Sequence, residues 1–357
     1  LNDLRKSPFI AAVGQVKRIT SILEENRVAR VIRFHRLGGP DVLEIENGEV
    51  APPQAHEVRV AVRALGLNRA ESLFRTGFYI EKPELPSGIG LEAAGSVESI
   101  GHRVTGLTPG DRIALIPPTS MKKQSLHAEV VNYPAERVVL IPENQSFEQG
   151  AATWMAYLTA YGALIEVAGI ETGEHVVVTA ASSSVGLAAI QILNAVGAVP
   201  IAVTRSYRKG GALLAAGAKH VVASEEDGFV EAMRNVTGGI GPRVTLDAVG
   251  GALLAPLVEA AAVGGMVVNY GAQDIRSSEL GAASLLAKSL TLRGYLVHEL
   301  IRDPAALETA KAFILQRLAT GALRPTISRT FELDDIRSAY RFLESGEQFG
   351  KVVVTVN

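Results

Sequence analysis

The chain has no cysteine among its 357 residues. Disulfides are therefore excluded, and so is any zinc site built from thiolates. A chain without cysteine fits a reducing compartment, and the cytoplasm is the expected location. Aromatic residues are scarce at 5%, whereas glycine, with 35 residues, is plentiful. That combination suits closely packed α/β crossovers. No basic excess is present either: 35 Lys and Arg stand against 37 Asp and Glu, a net charge of −2. Nucleic-acid binding draws on counterion release at a cationic surface, so no nucleic-acid partner is expected.

No apolar run reads as a membrane span. The strongest candidate, 176–204, holds no Asp, Glu, Lys, Arg or His, and ~20 apolar residues suffice to cross a bilayer. It also contains Ser182, Ser183, Ser184, Gln191, Asn194, Gly197 and Pro200. Its character changes along its length: VVVTAA reads as a strand, VGLAAIQILNAV as a helix and VPIAVT as a strand again. This is a buried β-loop-α-β unit, and no membrane contact is expected.

What is present is the composition of a globular protein, 47% hydrophobic and 20% charged. At ~150 residues per domain the length suggests two domains. Residues 1–26 stand apart as an N-terminal extension. Phe9, Ile10, Val13, Val16, Ile19 and Leu23 recur at helical spacing, with Arg5, Lys6, Lys17 and Arg18 giving a basic side. Asp3, Glu24 and Glu25, without a clear cleavage site, argue against a targeting peptide. From 29 to 141 short alternating strands such as RVIRF and EVRVAVRALGL are punctuated by Gly38-Gly39-Pro40, Pro86-Ser87-Gly88 and Pro109-Gly110-Asp111. From about 150 strands and helices alternate, which predicts a doubly wound parallel sheet. Helices are expected over 209–216, 226–236, 253–262, 304–320 and 334–345, the last with an Asp cap. KVVVTV closes the chain as a strand in a tail whose rhythm suggests a return to the first domain.

In a doubly wound sheet a ligand sits at the carboxyl ends of the strands. The first strand-to-helix turn is Ala180-Ala181-Ser182-Ser183-Ser184-Val185-Gly186. Small residues there let the backbone approach a pyrophosphate, and a helix amino terminus supplies N–H groups and a positive dipole. Ser183, Ser184 and Val185 are the candidate phosphate contacts, with Gly186 allowing close helix–strand packing. The next strand ends at Thr204 and runs into Arg205-Ser206-Tyr207-Arg208-Lys209. An acid for ribose hydroxyls is missing, and three cations suit a ribose 2′-phosphate, so NADPH is the expected cofactor. A solvated helix start is the alternative, although cations there oppose the helix dipole.

Several motifs in series resemble the medium-chain dehydrogenase/reductase superfamily, in its zinc-free NADPH:quinone oxidoreductase-like branch. They are Gly66-Leu67-Asn68-Arg69-Ala70-Glu71, Arg75-Thr76-Gly77-Phe78-Tyr79, Leu85-Pro86-Ser87-Gly88-Ile89-Gly90-Leu91-Glu92, Pro109-Gly110-Asp111-Arg112, the loop at 180–186, Asp247-Ala248-Val249-Gly250-Gly251 and Gly350-Lys351-Val352. The resemblance implies an α/β protein in which a GroES-like β-rich catalytic domain (27–150 and 295–357) is interrupted by a Rossmann domain (151–294). It also implies a homodimer joined at the Rossmann sheet edges. Asn68 and Leu91 stand where the zinc alcohol dehydrogenases carry a ligand Cys and His, and the four-Cys lobe has no counterpart. No metal is expected.

By the same resemblance Asn68 faces nicotinamide and substrate, against the simpler role of a strand-end turn residue. Tyr79 is similar to a cleft tyrosine of the quinone reductases and to the proposed proton donor of enoyl-thioester reductases, and is otherwise a packing residue of its loop. Thr153 and the turn Tyr270-Gly271-Ala272 border the nicotinamide. Lys209 matches a 2′-phosphate lysine, and Ser224 stands where the family offers a tyrosine to the adenine. The expected activity is hydride transfer from NADPH to a quinone or similar small electron acceptor. The alternatives are reduction of activated alkenes, for which Lys82, Lys122 and Lys123 form a candidate thioester-tail patch, and a non-catalytic NADPH-binding protein.

Overall fold

The computed structural model describes residues 26–357, so the helical spacing read over 9–23 lies outside the described residues. The chain enters through strand Arg27–Phe34, whose Ala29, Ile32 and Phe34 point into the core. It pairs antiparallel with Leu43–Val50 and, over two residues, with Ser87–Gly88. The next strand, Glu57–Gly66, is the centre of a seven-stranded sheet. It alternates well enough to bury Val58, Val60, Val62 and Ala64 on one side, and irregularities after Arg59 and Val62 bend it. Its partners are Ala93–Ile100, Val130–Pro134 and, from the far end of the chain, Lys351–Thr355, all antiparallel. The last strand also pairs in parallel with Ile327–Glu332.

Between these parts lies a parallel six-stranded sheet. Numbered by their order in the chain, its strands run 3-2-1-4-5-6, the doubly wound arrangement. They are His175–Val178, Val199–Thr204, His220–Ala223, Val244–Asp247, Met266–Asn269 and Thr291–Gly294. Val176, Val177 and Val178 are fully buried, as expected of a central strand covered on both faces. The outermost strand, Thr291–Gly294, is mostly exposed and pairs on one side only.

Several helix boundaries differ from the sequence reading. The helix expected over 209–216 is a short turn, Tyr207–Lys209, followed by Gly210–Ala215, because two glycines open it. The helix expected from 226 begins at Phe229, and the one expected over 253–262 is Leu254–Ala260. The Asp cap expected for the last helix, Ile336–Ser345, is not made. Asp334 instead pairs with Arg30 at 2.8 Å, and Asp335 in the cap position accepts no backbone N–H with its side chain. The capped helix is the one before it: Asp303 accepts from Ala305 and Ala306 N–H ahead of Pro304–Ala319.

Candidate active site

The phosphate loop is built by three local devices. Ala180 adopts a positive φ of 46°, which turns the chain sharply out of the first strand. Ser183 then caps helix Ser184–Ala195, its Oγ accepting from Gly186 N–H at 3.0 Å. Gly186 itself must be glycine: a Cβ there would fall 2.6 Å from the Ala181 carbonyl oxygen. Ser183, Ser184 and Val185 are left half-buried at the helix start, where the first N–H groups have no acceptor within the helix.

The strand ends around this loop bring the other expected contacts together. Ser224 donates its N–H to the Thr204 carbonyl at 2.8 Å, so the second and third strands deliver these residues side by side. Tyr270 follows the fifth strand, half-buried, with its hydroxyl near Ser183 and Asp247 but in no hydrogen bond of normal geometry. Burial and the Asp247 charge push its pKa up, so it is a neutral phenol with an unused donor. Gly271 is half-buried beside it and Ala272 is exposed. Asp247 is fully buried beneath the turn and accepts from Thr179 Oγ1 (2.8 Å), Val249 and Gly250 N–H (both 3.0 Å) and Asn269 Nδ2 (2.9 Å).

The cationic segment lies at the rim. Arg205, Tyr207 and Arg208 are exposed, and Lys209 is half-buried. Burial first, and then the neighbouring Arg205 and Arg208 charges, lower the Lys209 pKa. Lys209 Nζ donates to Ser182 Oγ at 3.2 Å and to the carbonyl oxygens of Gly346 at 2.9 Å and Gln348 at 2.8 Å. An ammonium has three donors, and here all three are taken by the protein. Together the bare helix start, the unused Tyr270 hydroxyl and the exposed arginines fit NADPH.

At the other end, Asn68 precedes helix Arg69–Arg75 and is 7% exposed. Its carboxamide donates to Gly66 O at 3.0 Å and Glu71 Oε1 at 3.3 Å, and accepts from Lys351 Nζ at 2.7 Å. Glu71 is buried and also accepts from Asn68 N–H, Leu91 N–H and the Tyr340 hydroxyl. Lys351 pairs further with Glu92, whose other oxygen accepts Met155 N–H at 3.0 Å. Burial pushes the Glu92 carboxyl up against the pull of Lys351, and burial holds His127 neutral. Thr153 is 1% exposed; its hydroxyl donates to Gln149 O at 2.7 Å, its N–H to Gly150 O at 3.4 Å, and its carbonyl accepts Tyr157 N–H at 2.9 Å, so its polar groups are already engaged within the protein. Tyr79 sits on the loop after the helix, its N–H on Leu73 O, and burial together with Glu81 and Glu71 pushes its phenol up to about 12.

The sequence reading quoted Glu71, Glu92 and Lys351 only as motif residues, and it missed His127 and Tyr340. The signal for Lys351 and Glu92 was charge beside apolar runs: Lys351 opens VVVTV and Glu92 interrupts IGLEAAG just before the strand Ala93–Ile100. Leu91 is 1% exposed and contributes only its backbone N–H. Among the described residues, the grouping with metal-ligand spacing is His35, Glu44 and Glu46 on the strands Arg27–Phe34 and Leu43–Val50 and the turn between them, not positions 68 and 91.

Residues 54–143 match the alcohol dehydrogenase GroES-like domain, and residues 184–315 match the zinc-binding dehydrogenase family. The quinone oxidoreductase of Salmonella typhimurium is 32% identical over 326 residues, which spans 89% of this chain and 97% of that protein. The crystal structure of Escherichia coli quinone oxidoreductase complexed with NADPH superposes with a TM-score of 0.84 at 30% identity, covering 92% of this chain and 100% of that one. A part of the highly reducing polyketide synthase ZEA2 of Gibberella zeae, 14% of its length, is 29% identical over 348 residues. The fold and these matches define a medium-chain dehydrogenase/reductase. Within that superfamily the chain belongs to the quinone-oxidoreductase-like branch, and it is an NADPH-dependent oxidoreductase.

Proposed function

We propose that the protein reduces a quinone or a similarly electron-poor small acceptor with NADPH and without a metal. Bound NADPH would supply a hydride, and the acceptor takes up one further proton to leave the quinol. The phosphate end is held by Ser183, Ser184 and Val185 at the helix start, with Thr204, Arg205 and Ser224 at the adenosine side. The nicotinamide end is bordered by Thr153, Asn68 and the turn at Tyr270, Gly271 and Ala272. Tyr79 stays protonated through the physiological range, and a neutral phenol can hydrogen-bond a developing oxyanion.

The observation that carries this reading is the character of the loop around Tyr79. Phe78, Ile80 and Leu85 are exposed beside it, an apolar lip suited to a planar aromatic acceptor. A thioester tail would need unpaired cations there instead. Lys82 donates to Gly77 O and Lys122 pairs with Glu84, so two of the three candidate lysines are already engaged. At 68 and 91 the side chains are a carboxamide tied into a buried network and a leucine, a poor donor set for zinc.

The test is NADPH oxidation by the metal-stripped protein with a 1,4-quinone and a 2-alkenal side by side. Turnover favouring the quinone is expected. Tyr79→Phe should slow the alkenal about 100-fold, the usual scale for a lost general acid, and the quinone much less. Equal rates of parent and variant with both acceptors would leave Tyr79 a packing residue, and turnover favouring the alkenal would overturn the quinone reading for the alkene one.

The return of Lys351–Thr355 to the sheet of Glu57–Gly66 supports a division into 27–150 plus 295–357 and 151–294. We also infer a cytoplasmic homodimer. The edge strand Thr291–Gly294 has an unpaired side among the described residues, and Leu292 on it and Leu286 before it are 42% and 80% exposed. Sedimentation equilibrium should give twice the chain mass of 37.7 kDa. Leu292→Arg should shift it to the monomer, and a monomeric parent would overturn the inference.

A further inference from the structure

We propose that Lys351 is a positioning residue of the hydride-transfer site, fixing the Asn68 carboxamide so that it presents an acceptor oxygen. The proposal rests on the reading of Asn68 as a wall of that site. Lys351 is 1% exposed, and its ammonium meets only oxygen: Asn68 Oδ1 at 2.7 Å and Glu92 Oε2. On its other side the same carboxamide donates to Gly66 O and Glu71 Oε1. The alternative flip would set the amide NH₂ against the ammonium and its oxygen against two acceptors. Every polar contact would then be repulsive, so the charge pattern admits one orientation.

The consequence is chemical. Both amide hydrogens of Asn68 are occupied inside the protein. Of the two lone pairs on Oδ1, Lys351 takes one. What Asn68 can offer a ligand is the other lone pair, which asks for an N–H or O–H and cannot stabilise an oxyanion. That assigns oxyanion stabilisation away from Asn68 and leaves Tyr79 for it. Through Glu92, Lys351 also ties this residue to helix Trp154–Tyr161, whose first turn donates Met155 N–H to Glu92. The close approach needs Gly66: a Cβ there would lie 2.8 Å from Lys351 Cε and 1.9 Å from the Ala151 carbonyl oxygen.

Lys351→Met alone leaves Glu92 buried without its cation and can fail to fold. The paired variant Lys351→Met/Glu92→Gln removes both charges, and glutamine can still accept Met155 N–H. Trp154 is the chain's single tryptophan and adjoins Thr153, so energy transfer from it to NADPH reads binding without turnover. In the paired variant NADPH affinity should stay within about threefold of the parent while kcat falls about 100-fold, the cost of a misplaced reacting pair. The primary isotope effect with 4-deuterated NADPH should rise. Adding Asn68→Ala to the paired variant should cost almost nothing further, since the two positions act as one unit. A paired variant with parental kcat, or an Asn68→Ala loss that adds in full, overturns the proposal. A parent that oxidises no NADPH with any acceptor overturns the functional reading instead. The proposal then stands or falls on the emission of bound NADPH, which should shift toward that of free NADPH in the paired variant and not stay at the parental position.

Discussion

Arg205→Ala is expected to weaken NADPH binding about 30- to 100-fold while leaving NADH binding nearly unchanged, the effect of losing two charge-assisted hydrogen bonds to a phosphate. Arg205 is exposed at the end of the second strand, and its guanidinium approaches within 3.1 Å of the position a Cβ would take on Gly346. No acidic residue follows Thr204, so nothing there selects for the ribose hydroxyls of NADH. Lys209→Ala should behave differently. Its donors hold Ser182 and the carbonyls of Gly346 and Gln348, and Gly350 N–H is bonded to Ser182 O at 2.8 Å in the same stretch. Loosening that stretch loosens the phosphate loop for both cofactors, so NADPH and NADH should weaken together. The Arg205→Ala/Lys209→Ala pair should still lose more NADPH than NADH affinity. Calorimetric titration with each cofactor at low and high salt checks this, because the phosphate contribution is screened and the rest is not. Equal losses of both cofactors in Arg205→Ala would remove it from phosphate recognition.

The difference between Arg205 and Lys209 shows what one sequence can and cannot reveal. The loop at 180–186, the switch from alternating strands to apolar ones and the position of Thr204 are local patterns, and each appears in the fold where its residues placed it. Two of the three partners of Lys209 are backbone carbonyls more than 130 residues away, and no side-chain identity announces them. The buried cluster at Asn68 is hidden for a similar reason. Glu71, Glu92, His127, Tyr340 and Lys351 come from five separate stretches, and only the sheet that joins Glu57–Gly66 to Lys351–Thr355 brings them together. Where local chemistry and a tertiary partner competed, the partner won: Asp334, read as a helix cap, pairs with Arg30 instead.

Asp247→Asn is the change expected to cost most in stability, about 3–4 kcal/mol, although it preserves shape. All four hydrogen bonds to this carboxylate come from donors, two on each oxygen. Asparagine replaces one oxygen by NH₂, which then faces two donors in a fully buried site, and each unsatisfied buried donor costs ~1–3 kcal/mol. Rotating the amide does not help, because the other oxygen faces two donors as well. Nor can Thr179 turn away to compensate, since its hydroxyl already accepts Ala248 N–H at 2.8 Å while donating to Asp247. The strain falls on the turn after the fourth strand, next to Tyr270, so the NADPH site should suffer with the fold. Excess NADPH raises the melting temperature of the parent with the logarithm of its affinity, and that rise should shrink in the variant. Calorimetric scans with and without NADPH measure both effects. A variant that melts with the parent would show that the turn is held by backbone bonds alone, such as Asp274 N–H on Val249 O at 2.9 Å. In that event the carboxylate would serve the cofactor site and not the fold.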